Sequence, residues 1–235
     1  MSLTGKVTMI SGASRGIGRQ IALTFAANGA YIVAGTRTPE AATGLMDEIK
    51  EHGGDGMHVP LDVADDQQVE AAVNHVVSSL GKIDILINCA GVILYDTPVW
   101  KTTIEEWDSM MRVNLRGTFL CCRSVVPHMI RQQSGTIINI ASSSARMADD
   151  DLGPYTASKW GVAGYTTSLA RSVRSHGIHV NGLNPGWVDT DMSRALTPEG
   201  DAEWSTASEI AEAAFYLATS APRDMTGQFL DIFGS

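Results

Sequence analysis

Tyr155 and Lys159 stand four residues apart in Pro154-Tyr155-Thr156-Ala157-Ser158-Lys159, thirteen residues after Ser142. On a helix, positions i and i+4 share a face, so a phenol and an ammonium lie side by side. A positive charge held beside a phenol favours phenolate. Such a pair can give or take a proton. A serine hydroxyl brought to the same spot can polarise a carbonyl. A second chemical element lies near the start of the chain, where Ser11-Gly12-Ala13-Ser14-Arg15-Gly16-Ile17-Gly18 follows an apolar run and precedes a helical pattern. That context suits a phosphate-binding turn. Gly12 permits the tight turn, Gly16 lets backbone approach a pyrophosphate, and Gly18 lets the helix pack close to the strand. The helix N-terminus then offers free N–H groups and a positive dipole end to the phosphates. Ser14, Arg15 and Ile17 complete the turn. The spacing is GxxxGxG, and an ordinary glycine-rich turn would look the same. An acid–base pair beside a dinucleotide turn implies hydride transfer.

The end of the second strand bears on which dinucleotide is used. A carboxylate there would accept from the adenosine ribose and repel a 2′-phosphate. The chain instead reads Ala34-Gly35-Thr36-Arg37. Arg37 can pair with a 2′-phosphate, and Arg15 lies on the same side; guanidinium donors match phosphate oxygens bidentately. NADP is therefore expected over NAD. Asp62, after the third strand, can accept from the adenine amino group while Val63 packs on the ring, although many aspartates at such positions only cap a turn.

The elements that must position these groups alternate. Strand-like runs cover residues 7–10, 31–35, 56–61, 83–88, 136–141, 179–184 and 228–232. Helical patterns cover 19–28, 39–51, 66–80, 104–132 with a break near Gly117, 155–175 and 207–219. The assignments rest on period, β-branched content and glycine stops. Strands separated by helices of this length make βαβ units. The implied fold class is α/β, a doubly wound parallel sheet of about seven strands with helices on both faces. One domain over 1–235 is expected, because 235 residues suffice for a single sizeable core.

Composition narrows the classes. Hydrophobic residues make up 44%, which argues against disorder. A net charge of −9 argues against nucleic acid and anionic membrane as partners. The three cysteines, Cys89, Cys121 and Cys122, form no CxxC; buried inert thiols in a reducing compartment are expected. The six histidines show no metal-ligand spacing, so no metal is expected. The start lacks a signal-peptide pattern and no apolar stretch is long enough to span a bilayer. A cytoplasmic protein is the default reading.

Gly12, Gly16 and Gly18, then Asn88-Cys89-Ala90-Gly91, Asn114, Ser142, Tyr155 with Lys159, and Pro185-Gly186 occur in that order. In this the chain resembles the short-chain dehydrogenase/reductase family over essentially its whole length, including members that reduce 3-oxoacyl groups on acyl carrier protein. The resemblance implies a Rossmann-type fold. It implies that Tyr155 is the general acid in carbonyl reduction and the base in reverse, and that Ser142 rather than Ser143 or Ser144 donates to the substrate oxygen. Lys159 would lower the tyrosine pKa and bind the nicotinamide ribose. Asn114 would hold a water that extends a proton relay to Lys159. Asn88, Ala90 and Gly91 would shape the cofactor floor. Pro185, Gly186, Val188 and Thr190 would cradle the nicotinamide carboxamide, although Thr190 and Asn114 also admit plain capping and core roles. The activity implied is NADP-dependent interconversion of a small-molecule carbonyl and alcohol. An NAD-dependent alcohol dehydrogenase, or a non-catalytic nucleotide-binding regulator, are the alternatives. A homo-oligomer, tetramer or dimer, built on the helices near 119–129 and 162–172 is expected from the family.

Some positions depart from the family pattern. Cys89 stands where a second asparagine is usual. A short substrate lid near 191–207 suggests an open site or a small substrate, and the chain ends early at Ile232-Phe233-Gly234-Ser235. Arginines that grip an acidic carrier correspond to Gln133 and His176, with Arg131 and Arg174 close by. Asp149, Asp150 and Asp151 precede Tyr155 and would repel an acidic carrier or a carboxylate; a solvated loop cluster would look the same. Ile93, Leu94, Tyr95, Met147, Leu152, Trp187 and Trp204 are the apolar pocket candidates, on loops after strands, where ligands enter such sheets.

Overall fold

The β1 run Val7–Ser11 is buried at every position, as a strand covered on both faces must be. Around it the computed structural model builds a seven-stranded sheet, every pairing parallel. It describes residues 2–94, 97–148, 150–201, 203–222 and 224–233. The remaining strands are β2 (Tyr31–Thr36), β3 (Asp55–Pro60), β4 (Ile85–Asn88), β5 (Gly135–Ile140), β6 (Ile178–Pro185) and β7 (Phe229–Ile232), in spatial order β3-β2-β1-β4-β5-β6-β7. The chain winds outward one way from β1 to β3 and the other way from β4 to β7. The reversal between β1 and β4 leaves a crevice at the strands' C-terminal ends, where such sheets bind ligands.

Helices cover both faces. On one, α1 (Gly16–Ala27), α2 (Glu40–Glu51) and α8 (Ala207–Thr219) bury Ile21, Phe25, Leu45, Ile49 and Ile210 against Ile10, Ile32, Ile87, Ile138 and Leu183. On the other, α3 (Asp66–Leu80), α5 (Gly117–Gln132) and α6 (Gly153–Val173) bury Val69, Val73, Val125, Met129 and Val173 against Met9, Val33, Leu86, Ile137 and Val180. The interior strands β1, β2, β4, β5 and β6 thus supply alternate residues to two cores.

Local chemistry marks the helix ends. Asp65 caps α3 by accepting from the Gln67 and Gln68 amides, and Gly81 closes it with φ +77°. Thr206 and Glu209 form a capping box on α8. Asp84 ties the start of β1 to the turn between α3 and β4. It accepts from the Val7 amide at 2.9 Å and pairs with Lys6 at 3.1 Å and Lys82 at 2.9 Å.

The helix over residues 104–132 departs from the expected pattern. No break occurs at Gly117: α4 (Ile104–Met110) runs through a π-helical turn at Met111–Arg116 directly into α5, with helical dihedrals across the junction. Gly117 is small for another reason: a Cβ there would lie 2.7 Å from Val63 Cγ2. A short helix α7 (Asp191–Leu196), capped by Thr190, was not anticipated as a discrete element within the 191–207 segment. Among the described residues, no helix is long and apolar enough to cross a membrane, and no group of His, Cys, Asp or Glu has metal-binding geometry.

Candidate active site

A cleft of about 620 Å³ opens along the C-terminal edge of the sheet. Its floor begins with the turn after β1. Gly12 has φ +71°, and a Cβ on it would lie 2.7 Å from the Ala90 Cα. At Gly18 a Cβ would stand 2.3 Å from the Gly12 carbonyl oxygen. Neither position admits a Cβ without a shift of backbone, and the turn folds flat against the β4 loop. The Ser11 hydroxyl accepts from the Cys89 and Ala90 amides at 3.2 and 3.3 Å, which fastens that loop to β1. Helix α1 starts from Arg15 with no side-chain cap and no acidic residue in its first turn. An uncapped N-terminus facing a cleft is a ready anion site. The Gly18 amide also points at the Cys89 sulfur; loss of solvation is the dominant influence there and pushes that thiol up to about 11.

Most expected contacts line this cleft: Gly12, Ser14, Arg15, Gly16, Ile17, Gly18, Arg37, Asp62, Val63, Ala90, Gly91, Ser142, Tyr155, Lys159, Pro185, Gly186, Val188 and Thr190. Thr36, Leu61 and Val113 also line it; they were not singled out from sequence. Asp62 spends one oxygen on the Ala64 amide at 2.9 Å, so it does cap a turn. Thr190 caps α7 while lining the cleft. Arg15 pairs with Asp191 across the cleft at 3.9 Å, both exposed.

Lys159 is buried, and its ammonium donates to the Ile140 carbonyl at 3.0 Å. It lies 5.4 Å from the centre of the Tyr155 ring, so the one-turn spacing along α6 does bring the two side chains together. Ser142, at the end of β5, accepts from the Ser144 amide at 3.1 Å. With an acceptor position taken, its own proton is left for a ligand oxygen.

Two expected site residues stand behind the lining. Asn114, on the π turn, accepts from the Val92 amide at 2.8 Å and donates to the Val92 carbonyl at 2.9 Å and to Ser158 Oγ at 3.0 Å. Both of its N–H groups are spent, so the carboxamide braces the β4 loop against α6. Asn88 donates to Asn139 Oδ1 at 2.8 Å, and Asn139 donates to Thr166 at 2.8 Å. This buried chain joins β4 through β5 to the helix that carries Tyr155. Asn88 thus supports the expected floor of the cleft from beneath instead of forming its surface.

At the outer end, Val92, Ile93, Leu152, Trp187, Met192 and Leu196 give apolar lining, beside Asp150 and Asp151. Leu94 and Met147 are exposed and do not line the cleft, because their loops turn them to solvent. Trp204 stacks behind Trp187 at 5.2 Å between ring centres. Tyr95 and Asp149 lie outside the described residues. The segment after β6 is pinned: Arg194 pairs with Asp189 at 2.7 and 2.9 Å, donates to the Pro198 and Glu199 carbonyls, and lies over Trp204. Arg174 is paired with Asp224 at 2.9 Å. It and Arg131 sit where α6 and α5 end, on the sheet edge opposite the cleft.

A sheet of this order with a dinucleotide-sized cleft, a glycine turn at one end and a Ser/Tyr/Lys group at the other defines a nicotinamide-dependent oxidoreductase class. The family model for short chain dehydrogenase matches residues 6–201, and the chain belongs to that family. It is 36% identical over 241 residues to the 3-oxoacyl-[acyl-carrier-protein] reductase FabG of Staphylococcus aureus, covering 97% of each chain. Among solved structures, a gluconate 5-dehydrogenase from Burkholderia cenocepacia in complex with NADP and tartrate superposes with a TM-score of 0.93 at 34% identity, covering 99% of this chain and 95% of that one. ElxO with NADP bound superposes at 0.90 with 27% identity, over 97% of both. The protein is an NAD(P)-dependent oxidoreductase of this family.

Proposed function

We propose that the protein is an NADP-dependent ketoreductase that uses Tyr155 as proton donor to the carbonyl oxygen, and as proton acceptor in the reverse direction. The observation that carries this reading is the convergence of Ser142, Tyr155 and Lys159 with the uncapped start of α1 on one cleft. The cleft fits a dinucleotide, since the lack of a Cβ at Gly12 and Gly18 lets the turn pack onto the Ala90 backbone and onto α1 and leaves the space above it open. The Gly12–Gly18 turn would hold the pyrophosphate. Arg37 and Arg15 would hold a 2′-phosphate, with no carboxylate at the end of β2 to oppose it. Asp62 and Val63 would take the adenine, and Pro185, Gly186, Val188 and Thr190 the carboxamide. Bound there, the nicotinamide would supply or accept the hydride. Lys159 keeps two N–H groups beyond its bond to Ile140 for the ribose hydroxyls. Ser142 donates to the substrate oxygen, and Tyr155 delivers the proton as charge builds there.

The outer lining favours a small uncharged carbonyl. Arg15 and Arg37 lie toward the phosphate end and Lys159 beside Tyr155; among the described residues no other Lys or Arg lines the cleft. Asp150 and Asp151 oppose an acidic carrier or a carboxylate substrate. The short segment over residues 191–207 acts as the lid. The exposed aromatic surface of α5 and α6, with Phe119 and Trp160, supports assembly into a homo-oligomer.

The test is a panel of ketones and alcohols, including ester and free-acid forms of one 3-oxo compound, assayed with NADPH and NADH at the reduced-nicotinamide absorbance. NADPH-linked reduction, with the ester preferred, is expected. Tyr155→Phe lowers turnover by roughly 10²–10⁴-fold while cofactor still binds. Near-normal turnover in that variant overturns the assignment.

A further inference from the structure

Thr36, the last residue of β2, is buried, and its hydroxyl makes two hydrogen bonds. It donates to the Thr38 carbonyl at 2.7 Å and pairs with His58 Nε2 at 2.9 Å. A hydroxyl has one proton, and a carbonyl can only accept. The Thr36 proton is therefore committed to Thr38, and the imidazole must be the donor. His58 thus carries hydrogen on Nε2 and gives it to Thr36. The result is a directed relay from His58 through Thr36 to the backbone on the far side of Arg37. The relay ties the two residues flanking Arg37 to each other and to β3. Arg37 lines the cleft, while His58, from β3, lies outside the lining.

We propose that His58 is a positioning residue for dinucleotide selection: by donating to Thr36 it holds the Thr36-Arg37-Thr38 turn, and so sets where the Arg37 guanidinium meets a 2′-phosphate. This rests on the NADP reading above. A guanidinium grips phosphate through a directional fork, so its anchor matters as much as its charge. A dinucleotide without the 2′-phosphate makes no use of that fork. The relay therefore acts on the discrimination between two cofactors and leaves affinity for the plainer one alone.

The experiment titrates NADPH and NADH by nucleotide fluorescence against wild type, His58→Leu, Thr36→Val, the double variant and His58→Gln, each as the full chain. Breaking one net hydrogen bond of about 0.5–1.5 kcal/mol corresponds to roughly a two- to tenfold change. The ratio of NADH to NADPH dissociation constants is expected to fall by about that factor in His58→Leu, with NADH affinity steady. Thr36→Val, which also removes the bond to Thr38, should fall at least as far, and the double variant no further than Thr36→Val, since His58 then has no hydroxyl to donate to. Glutamine places an amide N–H where Nε2 stood, so His58→Gln should recover the wild-type ratio. An unchanged ratio in His58→Leu overturns the proposal. So does an equal loss of both affinities, multiplying effects in the double variant, or no recovery with glutamine. Wild type preferring NADH would refute the cofactor reading, and this proposal with it.

Discussion

Gly18→Ala tests the cofactor cradle with one methyl group. A Cβ at this position lies 2.3 Å from the Gly12 carbonyl oxygen and 3.0 Å from its carbon. Carbon–oxygen contacts ordinarily begin near 3.3 Å, so the turn must retreat by about 1 Å. It has little room, because Gly12 is itself pressed against Ala90. Overpacking of this kind costs roughly 1–3 kcal/mol. Alanine within α1 returns about 1 kcal/mol of helix propensity, so the net loss of stability stays near 0–2 kcal/mol. Binding suffers more. A displaced turn forfeits at least one charge-assisted N–H bond to phosphate, worth about 1.5–3 kcal/mol, or roughly ten- to a hundredfold in affinity. The assay pairs a thermal melt with fluorescence titration of NADPH. A shift in Tm of a few degrees with affinity down at least tenfold is expected. Affinity within threefold of wild type would refute the reasoning that the turn's closeness to α1 builds the phosphate site.

Asp84→Asn should lower stability at neutral pH by about 1–3 kcal/mol, because two lysines and an amide lose a charged acceptor. Burial raises the Asp84 pKa, but the Val7 amide, Lys82 and Lys6 outweigh it and hold it below the ordinary carboxylate range. A lowered folded-state pKa stabilises above the unfolded pKa, and that stability is lost as pH falls through the folded value. Wild type and variant should therefore converge in acid, below about pH 4; a gap independent of pH would contradict this. Cys121 is pushed up to about 12 and Cys89 to about 11, in both by loss of solvation. A thiol-labelling reagent at pH 8 should react with the native protein about a hundredfold or more slower than with free cysteine; fast labelling of one thiol would refute inertness. Phe119→Glu on α5 should reduce the assembled mass seen by light scattering without changing the fold. A wild-type particle of one chain would end the assembly proposal.

The order of elements was legible from the amino-acid sequence because both periods are strong. β1 and β4 are short, mostly apolar runs, and α1, α3 and α8 carry helical spacing between glycine or capping stops. The Tyr155/Lys159 pairing was legible too, since four residues is one helical turn and needs no partner element. The glycine turn was legible because its context was local. The break assigned at Gly117 failed for a physical reason: a π turn shifts the apolar phase without ending the helix, and the glycine answers to Val63 across the gap to the β3–α3 loop. The roles of Asn88 and Asn114 depended on which groups lay within hydrogen-bond reach, and those come from β5, α6 and the β4 loop. The tie of Ser11 to Cys89 and Ala90 and the His58–Thr36 relay likewise join residues far apart or on separate strands. Local sequence determines which segments form and which side chains share a helix face. Only the packed sheet decides which buried polar group finds which partner, because that choice is made by distances the chain sets when its layers close.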